Sequence, residues 1–99
     1  MLYLRRRPHE RVFIEHGEMT REVTVLEIPS YQEVVLGLNG VPCTRRVGGA
    51  AIHLGHNGET LAITVSSIPT RHEVILGFDG PLSFQIVRDD ARKKEPVER

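Results

Sequence analysis

Thirteen residues, Ile28 to Gly40 (IPSYQEVVLGLNG), return 40 positions later as Ile68 to Gly80 (IPTRHEVILGFDG). Seven of the thirteen positions are identical, where unrelated segments share roughly one. Ser30/Thr70, Val35/Ile75, Leu38/Phe78 and Asn39/Asp79 are conservative changes. The chain reads as a duplication of one small β unit, and a unit of about 40 residues scarcely buries a core of its own. Either the two copies fold onto each other or each needs another chain.

Trp is absent and aromatic residues make up 5% of the chain, so the core has to rest on Val, Ile and Leu, which are strand formers. Alternating apolar residues mark strands at Leu2/Leu4, Val12/Ile14, Val23/Val25/Ile28 and Val34/Leu36/Leu38. The second copy repeats the pattern at Ile52/Leu54, Leu61/Ile63/Val65 and Val74/Leu76/Phe78, and Phe84 to Val87 adds one more strand. Turn signals fall at Glu15-His16-Gly17, Pro29-Ser30, Asn39-Gly40, Gly48-Gly49, His56-Asn57-Gly58, Pro69-Thr70 and Asp79-Gly80-Pro81. An almost all-β protein of about nine short strands is expected. A short helix or tail follows from Asp89, with Asp89 or Asp90 as N-cap and Pro96 as stop. The copies differ at their ends. Gly40 runs straight into Val41-Pro42-Cys43-Thr44-Arg45-Arg46, whereas Gly80 leads into the strand Leu82 to Arg88, so copy 1 lacks a final strand.

Charge narrows the partners. Thirteen basic and thirteen acidic residues cancel, which argues against a broad, nonspecific nucleic-acid coat. The basic residues are clustered, however, at Arg5 to Arg7, at Arg45-Arg46 and at Arg92-Lys93-Lys94. Eleven of the thirteen are Arg, whose planar fork suits phosphates and base edges. The lone Cys43 forms no intrachain disulfide, and no signal peptide or bilayer-length apolar run is present, so a soluble, reducing, cytoplasmic setting without a membrane is expected.

The opening Met1-Leu2-Tyr3-Leu4-Arg5-Arg6-Arg7-Pro8-His9-Glu10 resembles that of the carbon storage regulators (CsrA/RsmA), small bacterial RNA-binding translational regulators. The opening returns as Cys43-Thr44-Arg45-Arg46-Val47-Gly48. The family's central Val-x-Ile-Gly-Val-Asn-Ala-Pro is similar to Val34 to Gly40 and to Val74 to Pro81, and its closing segment to Phe84 to Asp90. The resemblance covers nearly the whole chain. It implies a dimer-like fold of two interlocked antiparallel sheets, built here within one polypeptide as a pseudodimer. Residues 1–40 form a first repeat lacking its last strand, 41–91 a second repeat with it, and 92–99 a charged tail. A monomer of 11.2 kDa is the corresponding expectation.

In that family the RNA site lies where the first strand of one chain runs beside the last strand of the other, and a GGA element in a loop of messenger RNA is recognised. The resemblance therefore implies one complete site, with copy 1's first strand paired to copy 2's last. Arg6, Arg7 and Arg88 would be the forks, and Leu4 and Ile86 would pack beneath the bases. Arg45 and Arg46 would form a secondary or degenerate site, for want of a copy 1 last strand. Messenger or small RNA is the implied partner, with no catalysis and no cofactor. A protein antagonist, which the family has in a flagellar assembly factor, or self-association through the edge beside Val41 to Arg46 would serve the alternative, a protein-interaction module that has lost RNA binding.

Pro8 and His9 replace the family's Val-Gly turn, Val87 its His and Ala91 a larger apolar residue, and Pro29 stands in a longer loop without the basic residue expected there. Plainer roles compete at each position. Arg88 has Asp89 or Glu10 as surface partners, Leu4 and Ile86 suit a core, and Arg45-Arg46 suits a solvated linker. His53, His56 and Cys43 lack the paired spacing of a zinc site, Asp89-Asp90 suits a helix cap, and Ser66-Ser67 and Gly48-Gly49 lack the motifs of a nucleophile elbow or a phosphate loop. No active site is legible.

Overall fold

The computed structural model describes residues 1–89. The alternation of branched apolar and polar residues is realised as nine strands: β1 (Leu2–Arg6), β2 (Arg11–His16), β3 (Met19–Glu27), β4 (Glu33–Leu38), β5 (Val41–Arg46), β6 (Ile52–His56), β7 (Glu59–Thr70), β8 (Glu73–Asp79) and β9 (Gln85–Arg88). They form two antiparallel sheets, β1-β8-β7-β6 and β5-β4-β3-β2-β9. The expected all-β, two-sheet architecture is what forms. The expected C-terminal helix and the 92–99 tail lie outside the described residues.

Period-2 patterning supplies one inward face per strand. Val12 and Ile14 on β2, Val23 and Val25 on β3, Val34 and Leu36 on β4, Leu61, Ile63 and Val65 on β7, and Val74 and Leu76 on β8 join one buried cluster shared by both sheets. Among the described residues no helix is long and apolar enough to cross a membrane.

Each sheet takes strands from both halves of the chain. β1 leaves the first half to pair with β8 in the second, while β5 and β9 flank β4 and β2. The sequence repeat is traced in the contacts. Leu4 lies opposite Leu76 and Cys43 opposite Leu36; Arg6 lies opposite Val74 and Arg45 opposite Val34. Both long strands carry a bulge at the same place, between Val25 and Glu27 and between Val65 and Ser67. After β1, the His9 amide donates to the Val25 carbonyl, and after β5 the Gly48 amide donates to the Val65 carbonyl. His9 has φ 73° and Gly48 φ 70°, so the position wants glycine and the first repeat holds a histidine in it.

Two expectations are corrected. The turn expected at Pro69-Thr70 sits at Arg71-His72, because β7 runs through Pro69 until Thr70 pairs with Glu73 across a two-residue connection. The Thr70 hydroxyl closes it by accepting from the His72 amide at 3.1 Å. The expected hydrogen-bonded pairing of β1 with β9 is also not formed: β1 pairs with β8 and β9 with β2, so the two strands are edges of different sheets.

A candidate nucleic-acid interface between two sheet edges

Although β1 and β9 share no ladder, their starts line one groove and their ends are linked through Arg11. At their starts, Met1 and Leu2 line a groove with Phe84 and Ile86, a cavity of about 440 Å³ completed by residues including Phe78 and Leu82. At their ends, both strands reach Arg11. Arg6 donates from Nη1 to the Arg11 carbonyl at 3.4 Å, and Arg11 reaches Asp89, just past β9, with Nη2 3.3 Å from Oδ1. Two edges from opposite halves of the chain therefore border one groove at their starts and are bridged by Arg11 at their ends.

The rim of this groove is apolar and exposed. Of its lining, Met1 and Leu2 are exposed and Leu82 is 98% exposed; Tyr3, also exposed, stands on the other face of β1 from Leu2 and does not line the groove. Tyr3 lies opposite Gly77 in the β1-β8 ladder. A Cβ at Gly77 would stand 3.0 Å from Met1 Sδ and 3.3 Å from Tyr3 Cε1, so the bare glycine lets both side chains lie across β8. An aromatic ring borne on an edge strand and lying across its neighbour is a ready stacking surface. Period-2 reasoning missed Tyr3; a single aromatic two positions after Met1, on the polar face of a strand that opens the repeat, was the signal available.

The site residues expected from sequence divide. Leu4 is half-buried against the core, and Ile86 packs against the core while also lining the groove. Arg7 is exposed, with Nε 3.9 Å from Glu73 Oε2, and Arg5 shares the same carboxylate at 3.8 Å. Two guanidinium groups against one carboxylate leave positive charge at the end of β1. Arg88 is exposed and lies opposite Val12. Arg6 is a correction: expected as an RNA-facing fork, it is only 5% exposed and donates from Nε to the Arg5 carbonyl at 2.7 Å. Its donors are turned onto backbone carbonyls, which makes it a fastener between β1 and β2.

Arg45 and Arg46 occupy the matching places in the second repeat. Arg46 Nη1 lies 3.5 Å from Glu33 Oε2, as Arg7 lies near Glu73, and Arg45 Nη1 donates to the Thr44 carbonyl at 3.0 Å. Arg45 Nε is buried and finds no acceptor among the described residues. Arg46 thus matches Arg7, whereas Arg45 lacks the two backbone acceptors that hold the buried Arg6. The two places also differ in the neighbour: β2 carries β9, whereas β6 carries no strand on its outer side among the described residues.

A polar cluster holds the start of β9 in place. His16 and His56, 40 positions apart, meet with Nδ1 atoms 2.7 Å apart. His16 Nε2 lies 2.7 Å from Glu59 Oε1, and since a carboxylate oxygen only accepts, this nitrogen is the donor. The Ser83 hydroxyl donates to the same Glu59 oxygen at 2.6 Å, and the neighbouring Phe84 ring lies 4.2 Å from that of His16. His56 thus contacts His16, and among the described residues no group of His, Cys, Asp and Glu is arranged to hold a metal.

The Ser83 hydroxyl, and then the His16 hydrogen bond, hold the Glu59 carboxyl below its ordinary value of 4.5, against a smaller opposing effect of burial. A carboxyl whose folded pKa is depressed favours the folded state when ionised, so its contribution is present above pH 4.5 and is lost as pH falls through the lowered value. Glu59→Gln removes that dependence. The stability difference between the parent and Glu59→Gln, from urea melts, is expected to shrink as pH falls from about 5 to about 3. A difference that stays constant over that range would mean that the carboxylate's charge does not matter.

No family model matches the chain, and no curated protein or solved structure matches it.

Proposed function

We propose that the chain is an RNA-binding post-transcriptional regulator of the carbon storage regulator kind, a pseudodimer of two repeats that reads a GGA element in single-stranded or hairpin-loop RNA through one site per chain. The observation that carries this proposal is that β1 and β9, edges of two different sheets, border one apolar groove at their starts and have the exposed Arg7 and Arg88 at their ends.

Loop bases are unstacked, so they present both faces and edges to a protein. Tyr3, on the outer face of β1 beside the groove, offers a face for one base, and Met1, Leu2 and Ile86 supply apolar surface within the groove. Arg7 and Arg88 supply forks for phosphate oxygens or guanine edges, while Leu4 and Arg6 hold β1 in position from below. At the second place Arg45 and Arg46 stand on β5 without a neighbour equivalent to β9, so that site is half built. Binding acts by occlusion: a protein seated on a GGA loop near a ribosome-binding site blocks the ribosome, and no bond is made or broken.

The exposed Leu82 and Met1 also favour a second reading, a protein-interaction module. An amide footprint separates the two. On addition of a hairpin with GGA in its loop, ¹H–¹⁵N shifts are expected along Leu2–Arg7 and Phe84–Arg88 and not along Val41–Arg46. Absence of RNA-induced shifts would reject the RNA reading in favour of the protein-binding one.

A further inference from the structure

The two sheets differ by one strand, and the difference lies at β6. β2 and β6 occupy matching places in the repeats, each paired with the following long strand. β2 is also covered on its outer side by β9, with Val12 opposite Arg88, Phe13 opposite Val87, Ile14 opposite Ile86 and Glu15 opposite Gln85. Ile52, His53, Leu54 and Gly55 are the matching residues of β6, and among the described residues nothing pairs with their outer side. Burial records the difference: Ile14 is 0% exposed, whereas Leu54 is only partly buried.

Sheet edges are normally protected by charge, proline or distortion. The other edge strands are: β5 carries Pro42, Arg45 and Arg46, β1 carries Arg5 and Arg6, and β9 carries Arg88. From Val47 to Gly58 there is no Asp, Glu, Lys, Arg or Pro, so β6 has none of these protections. Gly55 leaves one of its positions bare.

We propose that the β6 edge is a strand-acceptor site, filled by an extended segment of another polypeptide that pairs antiparallel with Ile52 to Gly55. The chemistry of the occupant is read from β9, which fills the matching edge. An aliphatic residue stands opposite Leu54, as Ile86 stands opposite Ile14, and an aromatic two positions earlier covers His56, as Phe84 covers His16. Because Ala51 stands where β2 has Arg11, the occupant needs no acidic residue to match the Arg11–Asp89 contact. The chain has no spare segment of this kind: residues 90–99 contain no aromatic residue, and Phe84 to Arg88 is engaged on β2. Backbone hydrogen bonds supply affinity and the two side-chain positions supply selectivity. This proposal is independent of RNA binding.

The probe is a labelled peptide with this chain's own sequence Leu82 to Asp89 (LSFQIVRD), titrated into the full-length protein. Saturable binding of one peptide per chain, with Kd below about 1 mM, is expected, together with slowed amide exchange at Ile52 to His56. Gly55→Lys should weaken it by about tenfold or more through a charge on the edge. A Cβ there meets nothing closer than the Glu59 carbonyl oxygen at 3.8 Å, so the fold tolerates the change. The same peptide with Ile86→Lys should fail to bind. Any of three results would overturn the proposal: no binding at about 1 mM peptide, binding that leaves exchange at Ile52 to His56 unchanged, or a dimeric protein in which those amides are already protected by a second copy.

Discussion

Ile14→Ala is expected to destabilise the protein by about 2–5 kcal/mol, the range for emptying a closed core site. Leu54→Ala, at the matching position of the other repeat, is expected to cost about 1–2 kcal/mol, because only part of its surface leaves water on folding. Ile14 is fully enclosed, with β3 on one side and β9 on the other, and Ile86 stands directly opposite it. Leu54 has β7 on one side alone. For a domain whose total stability is about 5–15 kcal/mol, the first loss is a large fraction and the second a modest one. Urea midpoints of the two variants, at equal m-values, measure the difference. Equal losses would mean that β9 adds no cover to the first repeat, and the asymmetry of the two edges would lose its energetic content.

Arg88→Ala is expected to weaken binding of a GGA hairpin by about ten- to a hundredfold, the range for a fork lost from a base or phosphate. Arg45→Ala is expected to change it by less than about twofold, as a substitution outside the contact surface does. Arg88 is borne on β9, which borders the groove, whereas Arg45 is borne on β5, at the far edge of the same five-stranded sheet. Melting temperatures of both variants, measured alongside, separate a loss of binding from a loss of fold. Matching losses in Arg88→Ala and Arg45→Ala would reject a single site per chain.

The strands were legible because the apolar residues repeat at period 2 with turn residues between them, as in Val12/Ile14 and Val34/Leu36. The sheet order was not legible from pattern alone. Strand alternation says which face of β1 is apolar, but not that its partner is β8, forty residues beyond β4. Arg6 was misjudged because a guanidinium is costly to bury, and only the fold brings the Arg5 and Arg11 carbonyls to its donors. Glu73 and Glu33, which meet Arg7 and Arg46, lie inside the repeated segment and were visible as a matched pair without a reason to link them to the arginines. The contact of His16 with His56 did have a signal. The two histidines stand 40 positions apart, the spacing of the repeat itself, and they touch each other.

The most direct test of RNA recognition is a fluorescence-anisotropy titration of a short hairpin with GGA in its loop against the same hairpin with CCA, at physiological salt, where nonspecific phosphate attraction is weak. GGA-dependent binding with one RNA per chain is the predicted result; equal affinity for the two hairpins, or no binding to either, would contradict it.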